Sequence, residues 1–257
     1  VDDLIDFFLI SWYSGNEDWA GDGNKNWRAA RKREPGAQFK FFSWDADTSL
    51  ASGWKNDGSV SFNAVSRTSN HSNNPTRFLF GALTSDEFRI LLADHIHQRL
   101  FNDGALTPGQ VEPRWDTRMD ELDRAILAES ARWGDTVSGT PFDRDDWLAY
   151  RTGLLQDWFD QRTGILLGQL EAQGYYPTLD AAEFNQHGGL ISTGFGLTMS
   201  AGAGTIYYTL DGVTDPRDVG GGINAGADIY ISAETLNVTT TVKARVWSGS
   251  EWSALTE

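Results

Sequence analysis

The sequence predicts an α+β protein in which a mainly helical part with a small β-hairpin is followed by an antiparallel β-sandwich. Apolar residues recur at helical spacing in four stretches, and two short strand patterns flank a Pro-Gly turn. After Gly174-Tyr175-Tyr176-Pro177 the chain becomes rich in Gly, Ser and Thr, and its apolar runs become short. We therefore expect a domain boundary there, which divides the chain into residues 1–177 and 178–257.

The N-terminal stretch predicts a helix followed by a hairpin. Apolar side chains on one stripe predict a helix over residues 2–14 that ends at Gly15-Asn16. Residues 27–31 and 38–44 have the pattern of two strands, and the turn Glu34-Pro35-Gly36-Ala37 joins them. The hairpin carries a run of basic side chains, which are either the partners of the nearby carboxylates or a solvated face.

Polar residues follow both of these elements. Asp18 comes just after the helix, and Asp45 and Asp47 follow the second strand directly. A strand held in place by Phe41 and Trp44 would aim these carboxylates back at Asp18. We therefore expect the acidic residues to face one another.

Three further helical patterns complete the first part. Residues 48–80 have the composition of a long polar loop, and Thr84-Ser85-Asp86-Glu87 then predicts a capping box at a helix start. A second pattern covers residues 119–133, and a third covers about 145–173.

The second part predicts short strands at spacings typical of a small antiparallel sandwich. The predicted strands are Leu190-Ile191, Phe195–Ser200, Gly204–Leu210, Ile229–Ser232 and Thr239–Trp247.

Composition and charge exclude several classes of protein. A formal net charge of −15 argues against a general binder of nucleic acid or anionic membranes, since such proteins present basic surfaces. The absence of Cys excludes disulfides and thiolate zinc sites. No stretch approaches the roughly 20 apolar residues that span a bilayer, so we expect no membrane span. The chain starts inside a helical pattern, and we therefore interpret it as a piece of a larger protein.

The polar residues near the hairpin suit a metal and phosphate site. Mg²⁺ prefers hard oxygen ligands, often one or two carboxylates together with substrate phosphates. Phosphoryl transfer uses one Asp to orient the hydroxyl nucleophile, and an Asn and a second Asp to hold the metal. The alternative is an ordinary polar loop, because Asp and Asn are also common turn residues.

A longer series of motifs resembles the CotH-type (spore coat protein H) kinase family over roughly residues 1–177. The motifs that carry the resemblance are Asp6-Phe7-Phe8-Leu9-Ile10, Gly15-Asn16-Glu17-Asp18-Trp19, Asn26-Trp27-Arg28-Ala29-Ala30-Arg31, Phe39-Lys40-Phe41-Phe42, Trp44-Asp45-Ala46-Asp47, Glu87-Phe88-Arg89, Phe101-Asn102-Asp103-Gly104-Ala105-Leu106-Thr107-Pro108 and Glu129-Ser130-Ala131-Arg132-Trp133-Gly134-Asp135.

The resemblance implies the catalytic portion of an atypical protein kinase with a mainly helical, kinase-like C-lobe. It implies that Asp18 orients the acceptor hydroxyl and that Asn26, Asp45 and Asp47 hold Mg²⁺ or Mn²⁺ with ATP. Asn24 is a second candidate for the amide ligand, and Asp47 serves either a second ion or only a local turn. The implied reaction transfers the γ-phosphoryl group to Ser or Thr hydroxyls of a protein substrate, in a secreted or cell-surface protein.

A kinase also needs a lobe that covers the nucleotide. Too few residues precede Asp18 to form one, so we expect this lobe to be missing and the fragment by itself to be inactive.

The second part resembles the immunoglobulin-like module at the C-terminus of chitobiases. The resemblance rests on residues 204–212, 215–217 and 240–246. It implies an accessory module with possible cell-surface or carbohydrate contact through the sandwich.

Two other functions stay open at this point. The chain could be a non-catalytic surface, adhesion or carbohydrate-associated protein built on a kinase-like lobe, or a glycoside hydrolase acting through Glu17 and Asp45. His95 and His97 alternate on a predicted helix, so we do not expect them to share a metal ion.

Overall fold

A computed structural model describes residues 1–16, 18, 26–50, 59–136 and 139–257. It contains both helices and antiparallel strands, which confirms the α+β class. No helix in these ranges combines the length and the apolar character of a membrane-spanning segment.

The helices cover most of the first part of the chain. They are α1 (Asp2–Tyr13), α2 (Ala64–Arg67), α3 (Thr76–Ala82), α4 (Asp86–Leu100), α5 (Pro108–Trp133), α6 (Arg144–Gly153) and α7 (Phe159–Ala172), with a π-helical turn at Leu154–Trp158 between the last two.

The strands pair only in antiparallel fashion, within small sheets. They are β1 (Trp27–Ala30), β2 (Lys40–Ser43), β3 (Glu183–Phe184), β4 (Phe195–Leu197), β5 (Met199–Ser200), β6 (Thr205–Thr209), β7 (Asp228–Ile229), β8 (Glu234–Leu236) and β9 (Lys243–Trp247). Among the described residues β1 pairs with β2, β3 with β5 and β4 with β8, while β6 lies between β7 and β9.

Helix α1 lies inside the largest hydrophobic core, where Ile5, Phe8 and Trp12 are fully buried. Acidic residues in the first turn of α1 interact favourably with the positive end of the helix dipole. The helix ends before Gly15, which has a φ of 65°. Glycine is suited to this left-handed conformation because it has no Cβ. The predicted helix and its end are confirmed.

The hairpin of β1 and β2 is also confirmed, with slightly shorter strands than predicted. Its turn places Gly36 at a φ of 77°, and the amide of Ala37 donates to the carbonyl of Glu34 at 3.2 Å. The outer edge of β2 lies against α1, since the amide of Phe41 donates to Oδ1 of Asp3 at 2.6 Å. The hairpin is therefore fixed to the first helix.

The structure corrects three details of the helical predictions. The long polar segment contains α2 and α3, while its residues 51–58 lie outside the described ranges. The capping box at α4 is wrong, because Ser85 makes no side-chain cap and the hydroxyl of Thr84 donates instead to the carbonyl of Gly81 at 2.7 Å. The third pattern is interrupted by the π-helical turn.

The strand predictions for the second part are confirmed only in part. Residues 190–191 form no strand, and Leu190 is fully exposed. Strands β3 and β8 were missed because each spans only two or three residues and offers little periodicity. The sandwich arrangement and the boundary near residue 177 stay predictions.

The second part has its own buried cluster and is also attached to α4. Leu197, Tyr208 and Val246 belong to this cluster, which is separate from the core around α1. Arg245 of β9 is buried and forms two hydrogen bonds of 2.7 Å each to the carboxylate of Asp94 on α4. A charge pair therefore joins the strands to the helical part.

Candidate functional site

A hydrogen-bonded pair of Asp18 and Asn26 forms the centre of the candidate site. The side-chain amide nitrogen of Asn26 donates to Oδ2 of Asp18 at 2.7 Å and to its carbonyl oxygen at 3.2 Å. The backbone amide of Asp18 donates to Oδ1 of Asn16 at 3.2 Å. Asn16 and Asn26 are buried, whereas Asp18 is half-buried. Asp18 is thus held from both sides.

The end of α1 creates the first half of this arrangement. After Gly15 the chain turns back, and the amide of Asn16 donates to the carbonyl of Ser11 at 3.0 Å. The side chain of Asn16 therefore points toward the loop and accepts from Asp18. Asn16 had no predicted role, because an Asn after a helix-ending Gly is common in any loop.

The base of the hairpin creates the second half. Asn26 has a φ of 61°, a conformation that Asn tolerates better than most residues. Its carbonyl accepts from the amide of Trp44 at 3.1 Å, which extends the ladder of β1 and β2 by one pair. The hairpin base therefore lies against the residue that follows α1, through Asn26 and Asp18. The expectation that Asp45 and Asp47 face Asp18 stays a prediction.

Asp45 and Asp47 lie on a segment that is tied to the site at both ends. The amide of Trp44 donates to the carbonyl of Asn26, and the amide of Leu50 donates to the carbonyl of Ser14 at 2.7 Å. Asp45 directly follows Trp44, has a φ of 53° and is exposed. Asp47 is exposed in a turn, which agrees with the local-turn alternative for this residue.

Asn26, Asp45 and Asp47 are the residues that the sequence assigned to a divalent cation. Because Asn26 uses its amide nitrogen on Asp18, its amide oxygen is the atom left to face a cation. No three acidic or histidine side chains gather in the described part of the chain. One or two carboxylates with an amide are nevertheless what Mg²⁺ takes together with phosphate oxygens. Asn24 and Glu17 lie outside the described residues.

A cavity of about 470 Å³ lies between the end of α1 and α5, and Asn16 lines it, whereas Asp18 and Asn26 do not. Asn16, Ser43 and Ala46 line the side toward the hairpin, and Trp115 and Val111 of α5 line the opposite side. Its size and mainly apolar wall are typical of ligand pockets. The contribution of α5 was not predicted, because helical periodicity does not show which other element a face meets.

Arg162 of α7 anchors the end of α1 from inside the core. Its side chain is fully buried, and it donates to the carbonyls of Trp12, Tyr13, Val60 and Phe62. Burial lowers the pKa of Arg162 to about 10. A cation at a helix C-terminus satisfies carbonyls that have no partner within the helix. Arg162 therefore positions the residues from which the Asp18 loop leaves.

The two histidines of α4 take separate structural partners, as their spacing predicted. Nδ1 of His95 lies 3.1 Å from Oδ1 of Asp6, whereas Nδ1 of His97 lies 2.8 Å from the hydroxyl of Tyr176. Burial lowers the pKa of His97 to about 4, so this imidazole is neutral at pH 7.

Comparisons with known proteins give no assignment: no protein-family model, no curated protein and no solved structure matches this chain. The resemblances to CotH-type kinases and to the chitobiase module therefore rest on the motifs quoted above.

Proposed function

We propose that this chain is a fragment of an atypical Ser/Thr protein kinase of the CotH type, with its phosphoryl-transfer site at Asp18, Asn26 and Asp45. The observation that carries the proposal is the hydrogen bond of 2.7 Å from the amide nitrogen of Asn26 to the carboxylate of Asp18. It joins a base candidate to a metal-ligand candidate, and it leaves the amide oxygen of Asn26 as the atom that would bind the ion. Phosphoryl transfer needs these two groups side by side.

Asp18 is the residue that orients the acceptor. Its half-buried carboxylate accepts the proton of a Ser or Thr hydroxyl as the bond from the hydroxyl oxygen to the γ-phosphorus forms and the bond from that phosphorus to the β–γ bridging oxygen breaks. The hydrogen bonds from Asn26 and to Asn16 hold Asp18 in one position. Such positioning supplies much of the rate enhancement in this class of reaction.

Asn26 and Asp45 are the proposed ligands of Mg²⁺ or Mn²⁺ bound with ATP. When bound, the ion neutralises charge on the transferring phosphoryl group. Asn26 would bind through its amide oxygen and Asp45 through its carboxylate. Asp45 directly follows Trp44, whose amide donates to the carbonyl of Asn26. Asp47 would serve a second ion or, as its turn suggests, none.

For the second part we propose an immunoglobulin-like sandwich that acts as an accessory module of a secreted or cell-surface protein. The three-stranded sheet of β7, β6 and β9 and the pair of β4 and β8 support this proposal. Carbohydrate is the proposed surface contact.

Nucleotide-dependent metal binding tests the site directly. Electron paramagnetic resonance of free Mn²⁺ should show that, in the presence of ATP, the chain binds more Mn²⁺ than it does without ATP, after subtraction of the Mn²⁺ that the same ATP binds without the chain. Asp45→Asn and Asn26→Ala should weaken that binding by about tenfold or more, since each removes an oxygen ligand. Glu34→Gln is the matched control, because it removes one negative charge from the opposite end of the same hairpin.

Transfer itself is measured with γ-labelled ATP, and Asp18→Asn should abolish any labelling that the chain supports. The proposal is wrong if ATP does not affect Mn²⁺ binding, or if Asp45→Asn binds as the unchanged chain does. The alternative is then a non-catalytic surface or adhesion protein. One observation favours that alternative: acidic and histidine side chains of the described residues do not gather in threes.

A further inference from the structure

One face of the hairpin combines exposed aromatic and cationic side chains. Strand alternation places Arg28, Lys40, Phe42 and Trp44 on the same face, and all four are exposed. Phe42 is 52% exposed and Trp44 is 60% exposed. The opposite face packs on the core through Trp27 and Phe41. We call the exposed side the hairpin face.

An exposed face of a hairpin normally carries polar side chains, because only the inward face is buried. Here two large rings are in solvent, and the guanidinium of Arg28 lies 5.5 Å from the ring centre of Trp44. A second cation, Arg31, lies 5.6 Å from the ring centre of Phe39 near the turn. Several exposed aromatic and cationic side chains that lie together are a feature of interaction sites, whereas single exposed apolar side chains are common on any surface.

The charge of the hairpin is opposite to that of the whole chain. Residues 26–44 contain five of the 21 basic residues and only one of the 36 acidic residues, in a chain with a net charge of −15. A local cationic patch on an acidic protein attracts anionic partners and repels basic ones. The partner is therefore expected to be acidic.

The backbone of β1 offers a way to bind an extended partner. In an antiparallel ladder, hydrogen-bonded pairs alternate with non-bonded pairs. Since Asn26 and Trp44 are a bonded pair, Ala29 and Phe41 are a non-bonded pair, and the amide and carbonyl of Ala29 point away from β2. The matching edge of β2 is occupied by Asp3, which accepts from Phe41. Within the described residues no further strand pairs with β1. An added strand along this edge would therefore pair with the amide and carbonyl of Ala29, whereas the carbonyl of Trp27 already accepts from the guanidinium of Arg28 at 2.7 Å.

The open edge also leads to the candidate site. Strand β1 begins at Trp27, directly after Asn26, which is bonded to Asp18. An extended segment paired with β1 would have one end at the Asp18 carboxylate. The acidic side chains of the same segment would lie over Arg28 and the other side chains of the hairpin face.

We propose that the hairpin face and the β1 edge dock an acidic, extended polypeptide segment that carries the acceptor Ser or Thr. The inference deepens the proposed kinase function and rests on it for the acceptor role. It names the substrate class: a protein whose acceptor residue lies in an acidic stretch.

Fluorescence anisotropy with a labelled Glu- and Ser-rich peptide tests docking, without metal or nucleotide. The unchanged chain should bind this peptide, and added salt should weaken binding because the charges are exposed. Lys in place of Glu in the peptide should abolish binding. The double variant Arg28→Gln/Trp44→Ser should bind about tenfold more weakly, since it loses a charge contact and an aromatic contact.

The matched control is Arg132→Gln/Trp133→Ser, which removes another cation and aromatic pair, on α5, where the guanidinium lies 4.8 Å from the ring centre. This variant should bind the peptide as the unchanged chain does. Equal loss in both double variants would overturn the proposal, as would equal binding of a single-stranded oligonucleotide, which would show a general polyanion surface. Circular dichroism confirms that each variant is folded.

The two proposals fail separately. If the acidic peptide binds but ATP has no effect on Mn²⁺ binding, docking stands and the kinase function is wrong. If Mn²⁺ binding depends on ATP but the peptide does not bind, the docking proposal alone is wrong.

Discussion

Two buried arginines, Arg162 and Arg245, stabilise different regions of the molecule by different means. Arg162 lies in the helical core, and in the described structure its partners are four backbone carbonyls. Arg245 lies on β9, and its partners include the carboxylates of Asp94 and Asp215. Carbonyls carry partial charge, whereas two carboxylates carry two full charges.

The difference is visible in how each guanidinium titrates. Burial lowers the pKa of Arg162 to about 10, because no anion among its described contacts offsets the loss of water. Burial acts in the same direction on Arg245, but its hydrogen bonds to the carboxylates of Asp215 and Asp94 raise its pKa above the ordinary value. Arg162 thus satisfies backbone carbonyls at the end of α1, and Arg245 joins β9 to α4.

The largest effect is expected when Arg245 is removed. Arg245→Met leaves Asp94 and Asp215 without their cation in a buried setting, which typically costs about 3–5 kcal/mol. Urea unfolding at neutral pH measures the loss of stability. A triple variant with Asp94→Asn and Asp215→Asn should recover part of it, and a loss below about 1 kcal/mol in the single variant would contradict a buried pair.

Removal of Arg162 should have a smaller but still large effect on stability. Arg162→Met leaves buried carbonyls of Trp12 and Tyr13 unsatisfied, and each such group costs about 1–3 kcal/mol. Differential scanning calorimetry measures the shift of Tm. Because Arg162 holds the end of α1, the variant should also weaken ATP-dependent Mn²⁺ binding, whereas Arg245→Met should not. Arg124→Met, at an exposed position of α5, is the matched control and should change neither quantity.

The smallest effect is expected at the partly exposed pair of Glu87 and Arg217, which also joins α4 to the second part. Hydrogen bonds from Arg217 and from the amide of Gly220 lower the pKa of Glu87 from 4.5 to about 2. A lowered carboxyl pKa gives stability that is present above pH 4.5 and is lost as pH falls toward 2. The side chain of Glu87 is 41% exposed, so solvent screening limits the stability that the pair contributes to about 1 kcal/mol or less.

Urea unfolding from pH 6 downward compares Glu87→Gln with the unchanged chain in a series of buffers. The difference in stability should be constant above pH 4.5 and should shrink between pH 4.5 and 2. A difference that does not change with pH would show that the pair acts through packing and not through charge.

The local elements were predicted well because their signals are local. The stripe of apolar residues in α1 and the Pro35-Gly36 turn of the hairpin each lie within a few residues of the element that they determine. Strands β3 and β8 were missed, and the capping box at Ser85 was wrong. Two or three residues give too little pattern for a strand, and a Ser before a helix does not reveal whether its hydroxyl turns toward the helix.

In the candidate site, too, residues close in sequence were identified and distant ones were missed. Asp18 and Asn26 were both candidate residues from the sequence, and they are hydrogen-bonded to each other. The expectation that Asp45 and Asp47 face Asp18 stays a prediction. The supporting residues Asn16 and Arg162 were missed. Arg162 lies 149 positions from Tyr13, to which it is bonded, and no short-range pattern indicates such a contact.

The sequence by itself determined the α+β class, the first helix, the hairpin and the order of polar residues around them. These follow from side-chain periodicity and turn chemistry, which act over a few residues. Only the tertiary structure decided that Arg162 closes α1, that Arg245 joins β9 to α4 and that the hairpin exposes Phe42 and Trp44. The physical reason is that charge pairing and burial depend on which distant segments meet, and many pairings are compatible with the same local pattern.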